Sequence, residues 1–458
     1  MRGSPRFFAG LACFFVLLAL YSITSRADLQ LSDETAVFAS AISLESKGDL
    51  SIDELQWLHD CRCLNFGKMG REGHLYSKYF PGNAVASAII YRLTAKQPDI
   101  PYFWKTPPDL DPPVSFMKLA ESNFGARSVL RLNALLGALG MTALFVLLLR
   151  YFDWRVSVFS LVLTALCSDW WYQSRGYLSE VGAGALLIAC LCAAAYGRPF
   201  QSGFALGLSL LFRPTNLLGA PVWFKSVLDR KGAAIWSGLG ILAGILGLAL
   251  FNWLRFGSVF DFGYGQEGFS PGILTGLFVN LLSPGRSLFV YSPVLLLAIP
   301  GAGLFWKKDR SLALVAVVTV VLQLLLVSAW HTPDGGWTWG SRLMTPVLPI
   351  LGFLTAPVLE QAWNRRGDIL VIFSLTILGF AIQTAALARD PVRTLVDRVV
   401  YQGLPYDQTI FSPRHAWVVL QFQYLEHWQK CDLDSYTLRE WIGACPVQEV
   451  PGLETSPP

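Results

Sequence analysis

The sequence predicts an all-α integral membrane protein: a multi-pass bundle of about 11 transmembrane helices with juxtamembrane helices in a large first outer loop. Three observations predict it. Of 458 residues, 53% are hydrophobic and only 15% charged, and the mean hydropathy is +0.44, whereas an ordinary globular domain carries about 25% charged residues. Apolar runs of about 20 residues, long enough to cross a hydrocarbon core, recur along the chain. Basic residues alternate between rich and poor in the connections separating those runs.

The first run, residues 6 to 24, follows Arg2 and Arg6. It is longer than a signal-peptide core, so an uncleaved anchor is expected, even though Ser25-Arg26-Ala27 offers a peptidase-like end. Further spans are expected near 128–149, 156–168, 181–197, 232–254, 288–306, 311–330, 343–363 and 369–388. Two shorter pieces, 203–212 and 215–224, flank Arg213-Pro214 and predict a tight pair of helices turning back within or across the membrane. The run 80–93 is short and interrupted by Pro81, Gly82 and Asn83, which predicts a helix lying in the interface.

That last assignment sets the topology. With the N-terminus cytoplasmic, eleven basic residues (Arg150, Arg155, Arg198, Lys225, Arg230, Lys231, Lys307, Lys308, Arg310, Arg365 and Arg366) face the cytoplasm, against four (Arg175, Arg255, Arg286 and Arg342) outside. This obeys the positive-inside rule, and letting 80–93 span would invert it. The chain then divides into a transmembrane domain, 1–388, with a first outer loop at 25–127, and an extracytoplasmic C-terminal segment, 389–458. The net charge of +4, with no Lys/Arg block, gives no reason to expect a nucleic-acid partner.

In this orientation the unusual polar segments share one side of the plasma (inner) membrane. They are "SDETAVFAS" after the first span, "YSKYFPGNA" at 76–84, "SDWWYQSRGYLSE" at 168–180, "RFGSVFDFGYGQ" at 255–266, "SPGRSLFVYSP" at 283–293 and "WHTPDGGWTWGSRLMTPVLP" at 330–349. Ionisable groups beside apolar spans are costly unless paired or hydrated. The carboxylates are Asp33, Glu34 and Glu180; the cations are Lys78, Arg175, Arg286 and Arg342. A carboxylate serves as general base toward a hydroxyl, and Arg or Lys holds a phosphate through charge-assisted hydrogen bonds. Together they suit group transfer from a lipid-linked phosphate. Taken singly, each has another reading: Asp33 and Glu34 as the acidic first turn of a helix, Lys78 snorkelling to headgroups, and Arg175 with Glu180 as a structural ion pair.

The acidic pair within "SDETAVFASAISLESKGDL" resembles the first outer-loop motif of the GT-C superfamily of polyprenyl-phosphate-sugar-dependent glycosyltransferases, in the branch of protein O-mannosyltransferases and the lipid A aminoarabinose transferase. "YSKYFPGNA" is similar to the lysine-proline stretch opening that family's juxtamembrane helix, and "SRGYLSE" to its second-loop pattern of Arg followed by an acid. Two departures stand out: two residues separate Lys78 from Pro81, and Glu180 stands where Asp is common. The resemblance implies Asp33 as base, with Glu34 and Glu180 as further acidic groups. It implies Lys78 and Arg342 on the donor phosphate, with inversion at the sugar C1. A divalent cation (Mg or Mn) on Asp33 and Glu180 is left open. The implied partners are a polyprenyl-phosphate-linked sugar donor, membrane lipids, and an acceptor protein, lipid or glycan. The competing class is a lipid-linked-sugar flippase or transporter, because broken helices and buried charges also line substrate paths.

Of eight cysteines, Cys13, Cys167, Cys190 and Cys192 fall in spans, where a small apolar role is expected. Cys61, Cys63, Cys431 and Cys445 fall outside, where disulfides form; 431 with 445 is the simplest local bridge. "HDCRC" with His59 and His74 is the alternative zinc reading, though its spacing matches no standard ligand frame. The stretch 416–429, "AWVVLQFQYLEHWQ", predicts a helix on the membrane or on the bundle.

Overall fold

The computed structural model describes residues 5–26, 29–60, 65–94, 124–229, 234–265, 267–269, 272–362, 366–429, 432 and 434–441. These residues form a helical bundle with a single two-stranded sheet among them. Five helices are long and apolar enough to cross a membrane: Gly125–Tyr151, Ala234–Phe256, Arg310–Ala329, Arg342–Ala362 and Asp368–Ala388. Five shorter apolar helices, Phe8–Ile23, Trp154–Leu166, Glu180–Ala195, Pro199–Phe212 and Pro293–Trp306, also occur among the described residues. Helices Pro199–Phe212 and Ala234–Phe256 lie against each other because glycines face glycines. A Cβ on Gly207 would stand 1.9 Å from the Gly240 carbonyl oxygen, the close approach typical of small-residue packing in membranes.

The pair expected around Arg213-Pro214 is the Pro199–Phe212 helix, a 3-10 stretch Pro214–Gly219, and the helix Ala220–Leu228. Pro214 has no N–H with which to continue the helix and pushes the preceding residue toward extended backbone. Arg213 accordingly sits at φ −148°, ψ 115°. The break delivers a cation to the end of the bundle that holds Asp33.

Residues 29–91 have a core of Phe38, Ile42, Ile52, Leu75 and Tyr91, joined by Tyr177 from later in the chain. Helix Ser32–Ser46 packs on helix Pro81–Thr94. Between them, strands Gly67–Met69 and Leu75–Ser77 pair antiparallel, Gly67 opposite Ser77, which ends the hairpin at Lys78. Buried Arg255 donates to the carbonyls of Ser77 and Tyr79 and lies 3.8 Å over the Phe251 ring, fastening the hairpin's exit to a long helix. Along Pro81–Thr94, Ala84, Ala88 and Tyr91 are buried while Val85, Ile89 and Leu93 are exposed. That outward stripe, four residues apart, is apolar, as expected of a helix lying in an interface.

Charged groups of the connections expected to be cytoplasmic gather at the opposite end, where Lys308 meets Glu360 at 2.6 Å and Tyr151 donates to Asp309 at 2.9 Å. The C-terminal helix Trp417–Tyr424 lies on the bundle. Trp417 donates to the Pro391 carbonyl (2.9 Å), and Gln421 to those of Ala385 (3.0 Å) and Arg389 (2.8 Å). Cys13, Cys167, Cys190 and Cys192 are free, Cys190 lying 3.2 Å from the Ser202 hydroxyl. Cys61, Cys63, Cys431 and Cys445 lie outside the described residues. His74 pairs with Asp53 at 2.6 Å.

Candidate active site

Helix Ser32–Ser46 carries Asp33 and Glu34 in its first turn, where acids complement the N-terminal dipole. The Asp33 carboxylate accepts from the Tyr79 hydroxyl at 2.5 Å and from Arg342 Nη2 at 2.7 Å. Arg342 Nε donates at 2.6 Å to Glu180, which also receives Arg213 at 2.5 Å. One guanidinium therefore bridges two carboxylates delivered by helices far apart in sequence. Glu180 is fully buried, whereas the Asp33 side chain keeps 21% of its surface. Burial pushes the Asp33 carboxyl up, but Arg342 and the Tyr79 hydroxyl outweigh it and hold the group below the ordinary carboxylate range.

Asp33, Arg342 and Arg213 open onto a cavity of about 570 Å³. Lys78, Tyr264 and Glu267 line it as one connected group: Lys78 meets Glu267 at 2.7 Å and lies 5.5 Å from the Tyr264 ring centre. Gln30, Trp337, Val392 and Val396 also line it, the two valines coming from the C-terminal segment. The connection 330–341 contributes further lining, with Trp330 packed edge-on against Tyr264 at 5.7 Å. Its geometry depends on Gly340, at φ 74°, where a Cβ would stand 2.4 Å from Asp169 Oδ2. Gly340→Ala is expected to cost about 1–3 kcal/mol and to displace Arg342 two residues on. Thermal unfolding of the purified variant should show the lowered midpoint.

No family model and no curated protein matches the sequence. Solved structures do match the fold. Apo ArnT from Cupriavidus metallidurans superposes with a TM-score of 0.50 at 13% identity, covering 96% of this chain and 74% of its own. The same protein bound to undecaprenyl phosphate gives a TM-score of 0.49 at 13% identity, over 95% and 77%. The apo oligosaccharyltransferase of Archaeoglobus fulgidus gives 0.50 at 12% identity, covering 81% of this chain and 55% of its own. The chain shares the fold of ArnT and of the archaeal oligosaccharyltransferase.

Within this bundle, Asp33, Lys78 and Arg342 line the cavity and Glu180 sits behind its wall, bonded to Arg342 and Arg213, whereas three other predicted site residues are turned elsewhere. Glu34, next to Asp33, turns inward. It pairs with buried Arg26 and accepts from the backbone N–H of Gln30 (2.8 Å) and Tyr177 (3.1 Å). Arg175 pairs with Asp434 at 3.0 Å, not with Glu180, and donates to the Thr24 carbonyl at 2.5 Å. Arg286 donates to the Thr338 carbonyl (2.5 Å) and the Tyr406 hydroxyl (2.8 Å) and stacks on Trp417. Each is bonded chiefly to other groups of the protein and lies off the cavity lining. Conversely, sequence reasoning missed Arg213, Glu267, Tyr79 and Trp337. Arg213 had a legible signal, a cation set between two apolar stretches; Glu267 had none.

The donor set of this site does not suit a divalent cation as it stands. Arg342 lies between the two candidate ligands, Asp33 and Glu180, and donates to both. No group of three or more His, Cys, Asp or Glu residues forms a metal cluster among the described residues. An ion binding there would have to displace the guanidinium.

Proposed function

We propose that the chain is a membrane glycosyltransferase that moves a sugar from a polyprenyl-phosphate donor to an acceptor hydroxyl, on the extracytoplasmic side of the plasma (inner) membrane. The observation that carries this reading is the cavity in which an ionised carboxylate, Asp33, faces the same space as Lys78, Arg213 and Arg342. Such a space accepts an anionic headgroup and a hydroxyl together. The fold shared with ArnT agrees with it.

In this reading, Lys78 and the two arginines hold the donor phosphate, the arginines through directional N–H pairs. Asp33 accepts a hydrogen bond from the acceptor hydroxyl and orients it toward the sugar C1. As the new C1–O bond forms, the bond from C1 to the phosphate oxygen breaks with inversion. The electron pair leaves on the polyprenyl phosphate, and the acceptor's proton passes to Asp33. Because Asp33 is held below the ordinary carboxylate range, it is a weak base and takes the proton late, as the hydroxyl becomes acidic through bond formation. The cations stabilise the charge gathering on the leaving phosphate.

The test is an assay of the purified protein in nanodiscs with a panel of polyprenyl-phosphate sugars, following donor cleavage with and without chelator. Donor cleavage coupled to acceptor glycosylation supports the reading; movement of intact donor between leaflets without cleavage replaces it with a flippase. Chelator is expected to leave the rate unchanged, and a loss restored by Mg or Mn would show that an ion displaces Arg342.

Glu267 makes a further distinction. It holds Lys78 at 2.7 Å, so the headgroup phosphate must compete with it. Glu267→Gln removes the competing charge and is expected to tighten undecaprenyl-phosphate binding roughly tenfold, within the attraction of a partly buried pair. Isothermal titration in nanodiscs measures this. Weaker binding would mean that Glu267 helps hold the donor.

A further inference from the structure

We infer that Trp337 is the platform of an acceptor subsite and that its ligand is a pyranose ring, making the acceptor a glycan. This rests on the glycosyl-transfer reading and goes beyond it by naming the acceptor class.

One face of Trp337 is fixed from behind. Its ring stacks on Tyr406 with centroids 5.6 Å apart and planes 19° from parallel. Tyr406 is held at its hydroxyl by two partners: it accepts from Arg286 at 2.8 Å and donates to Asp334 at 2.6 Å. Arg286 is itself 1% exposed and set 4.4 Å from the Trp417 ring centre. A buried cation from the 283–293 stretch and two aromatic rings from the C-terminal segment thus set the orientation of one half-buried indole. Packing alone does not require that much polar restraint. The remaining surface of Trp337 lines the cavity that Asp33 faces.

The lining around Trp337 selects among acceptor classes. Gln30, Ser32 and Thr332 bring hydrogen-bonding side chains to the same cavity, and Gly335 and Gly336 bring bare backbone. A flat apolar surface edged by hydrogen-bonding groups matches a pyranose, whose C–H face meets the negative face of an aromatic ring while its hydroxyls point outward. An acyl chain would call for continuous apolar walls, and a peptide for an open strand edge. Lys78 pairs with Glu267 and Trp337 stacks on Tyr406, so a ring on Trp337 and a phosphate on Lys78 call on different residues.

The experiment is saturation-transfer NMR on the full protein in nanodiscs, free of glycoside detergent, with three separate probes: methyl hexopyranosides, a serine/threonine-rich peptide and diacylglycerol. Three proteins are compared: wild type, Trp337→Leu, which keeps apolar bulk over Tyr406 but no flat face, and Trp337→Tyr, which restores a ring. Binding of undecaprenyl phosphate is measured in parallel. The expected result is saturation of the hexoside ring protons by wild type, about tenfold weaker affinity in the Leu variant, and recovery in the Tyr variant. Undecaprenyl-phosphate binding should be retained by all three. Hexoside affinity unchanged in the Leu variant, or transfer only to peptide or to diacylglycerol, overturns the inference. Failure of wild type to bind undecaprenyl phosphate instead overturns the glycosyl-transfer reading beneath it.

Discussion

Replacing Asp33 with Asn is expected to lower sugar transfer by about 10²–10⁴-fold, the usual contribution of a positioned general base, while the protein stays inserted and folded. The isosteric amide keeps an acceptor oxygen for Arg342 and presents its NH2 to the Tyr79 hydroxyl, which can accept instead, the two partners now lying 2.7 and 2.5 Å from the carboxylate, but it cannot take the acceptor's proton. Single-turnover cleavage of a polyprenyl-phosphate sugar measures the loss, and full activity in this variant would remove Asp33 from the chemistry. The pH dependence follows from the same contacts. Asp33 is held below the ordinary carboxylate value of about 4. It therefore stays ionised above that value, and its contribution is lost only as the pH falls through the lowered value. The acid limb of the rate profile should lie below about pH 4 as far as Asp33 governs it. Tyr79→Phe removes one of the hydrogen bonds favouring the charged form, so that limb should move upward.

Arg342→Met should be the most damaging substitution to the fold of the site. It removes the cation shared by Asp33 and Glu180, and Glu180, with no exposed side-chain surface, would then have Arg213 as its remaining ion partner. Breaking a buried ion pair by removing one partner costs about 3–5 kcal/mol, because the other charge stays desolvated. Adding Glu180→Gln to Arg342→Met is therefore expected to restore most of the stability without restoring transfer, since the cavity still lacks the guanidinium. Thermal unfolding and turnover measured across the two single variants and the double variant separate the roles. If the double variant recovered both, Arg342 would be a structural counter-ion and nothing more.

Much of the architecture was legible because it depends on local composition and length. An apolar run of about 20 residues has few alternatives to a membrane-spanning helix, and the long helices fall where such runs lie. The short run at 80–93 forms a helix, Pro81–Thr94, that is not among those long and apolar enough to cross a membrane. The site was legible only in part. Asp33, Lys78, Glu180 and Arg342 stand out as charges beside spans, and the structure gathers them. Arg175 and Arg286 stand out for the same reason, yet they anchor the C-terminal segment through Asp434 and Tyr406. Nothing in the local sequence separates a cation that meets a ligand from one that meets a carbonyl, since the partners lie 52 to 259 residues away.

The sequence by itself determined that this is a helical membrane chain whose acids and cations collect beside its spans, because hydrophobic length and the cost of burying charge act residue by residue. Only the tertiary structure decided which of two neighbouring acids faces the cavity. Successive residues on a helix point about 100° apart, so once helix Ser32–Ser46 is docked, Asp33 opens toward Arg342 and Glu34 is turned into the protein against Arg26. The docking is set by contacts between distant segments, and those same contacts bring Arg213, Glu267 and Trp337 to the cavity.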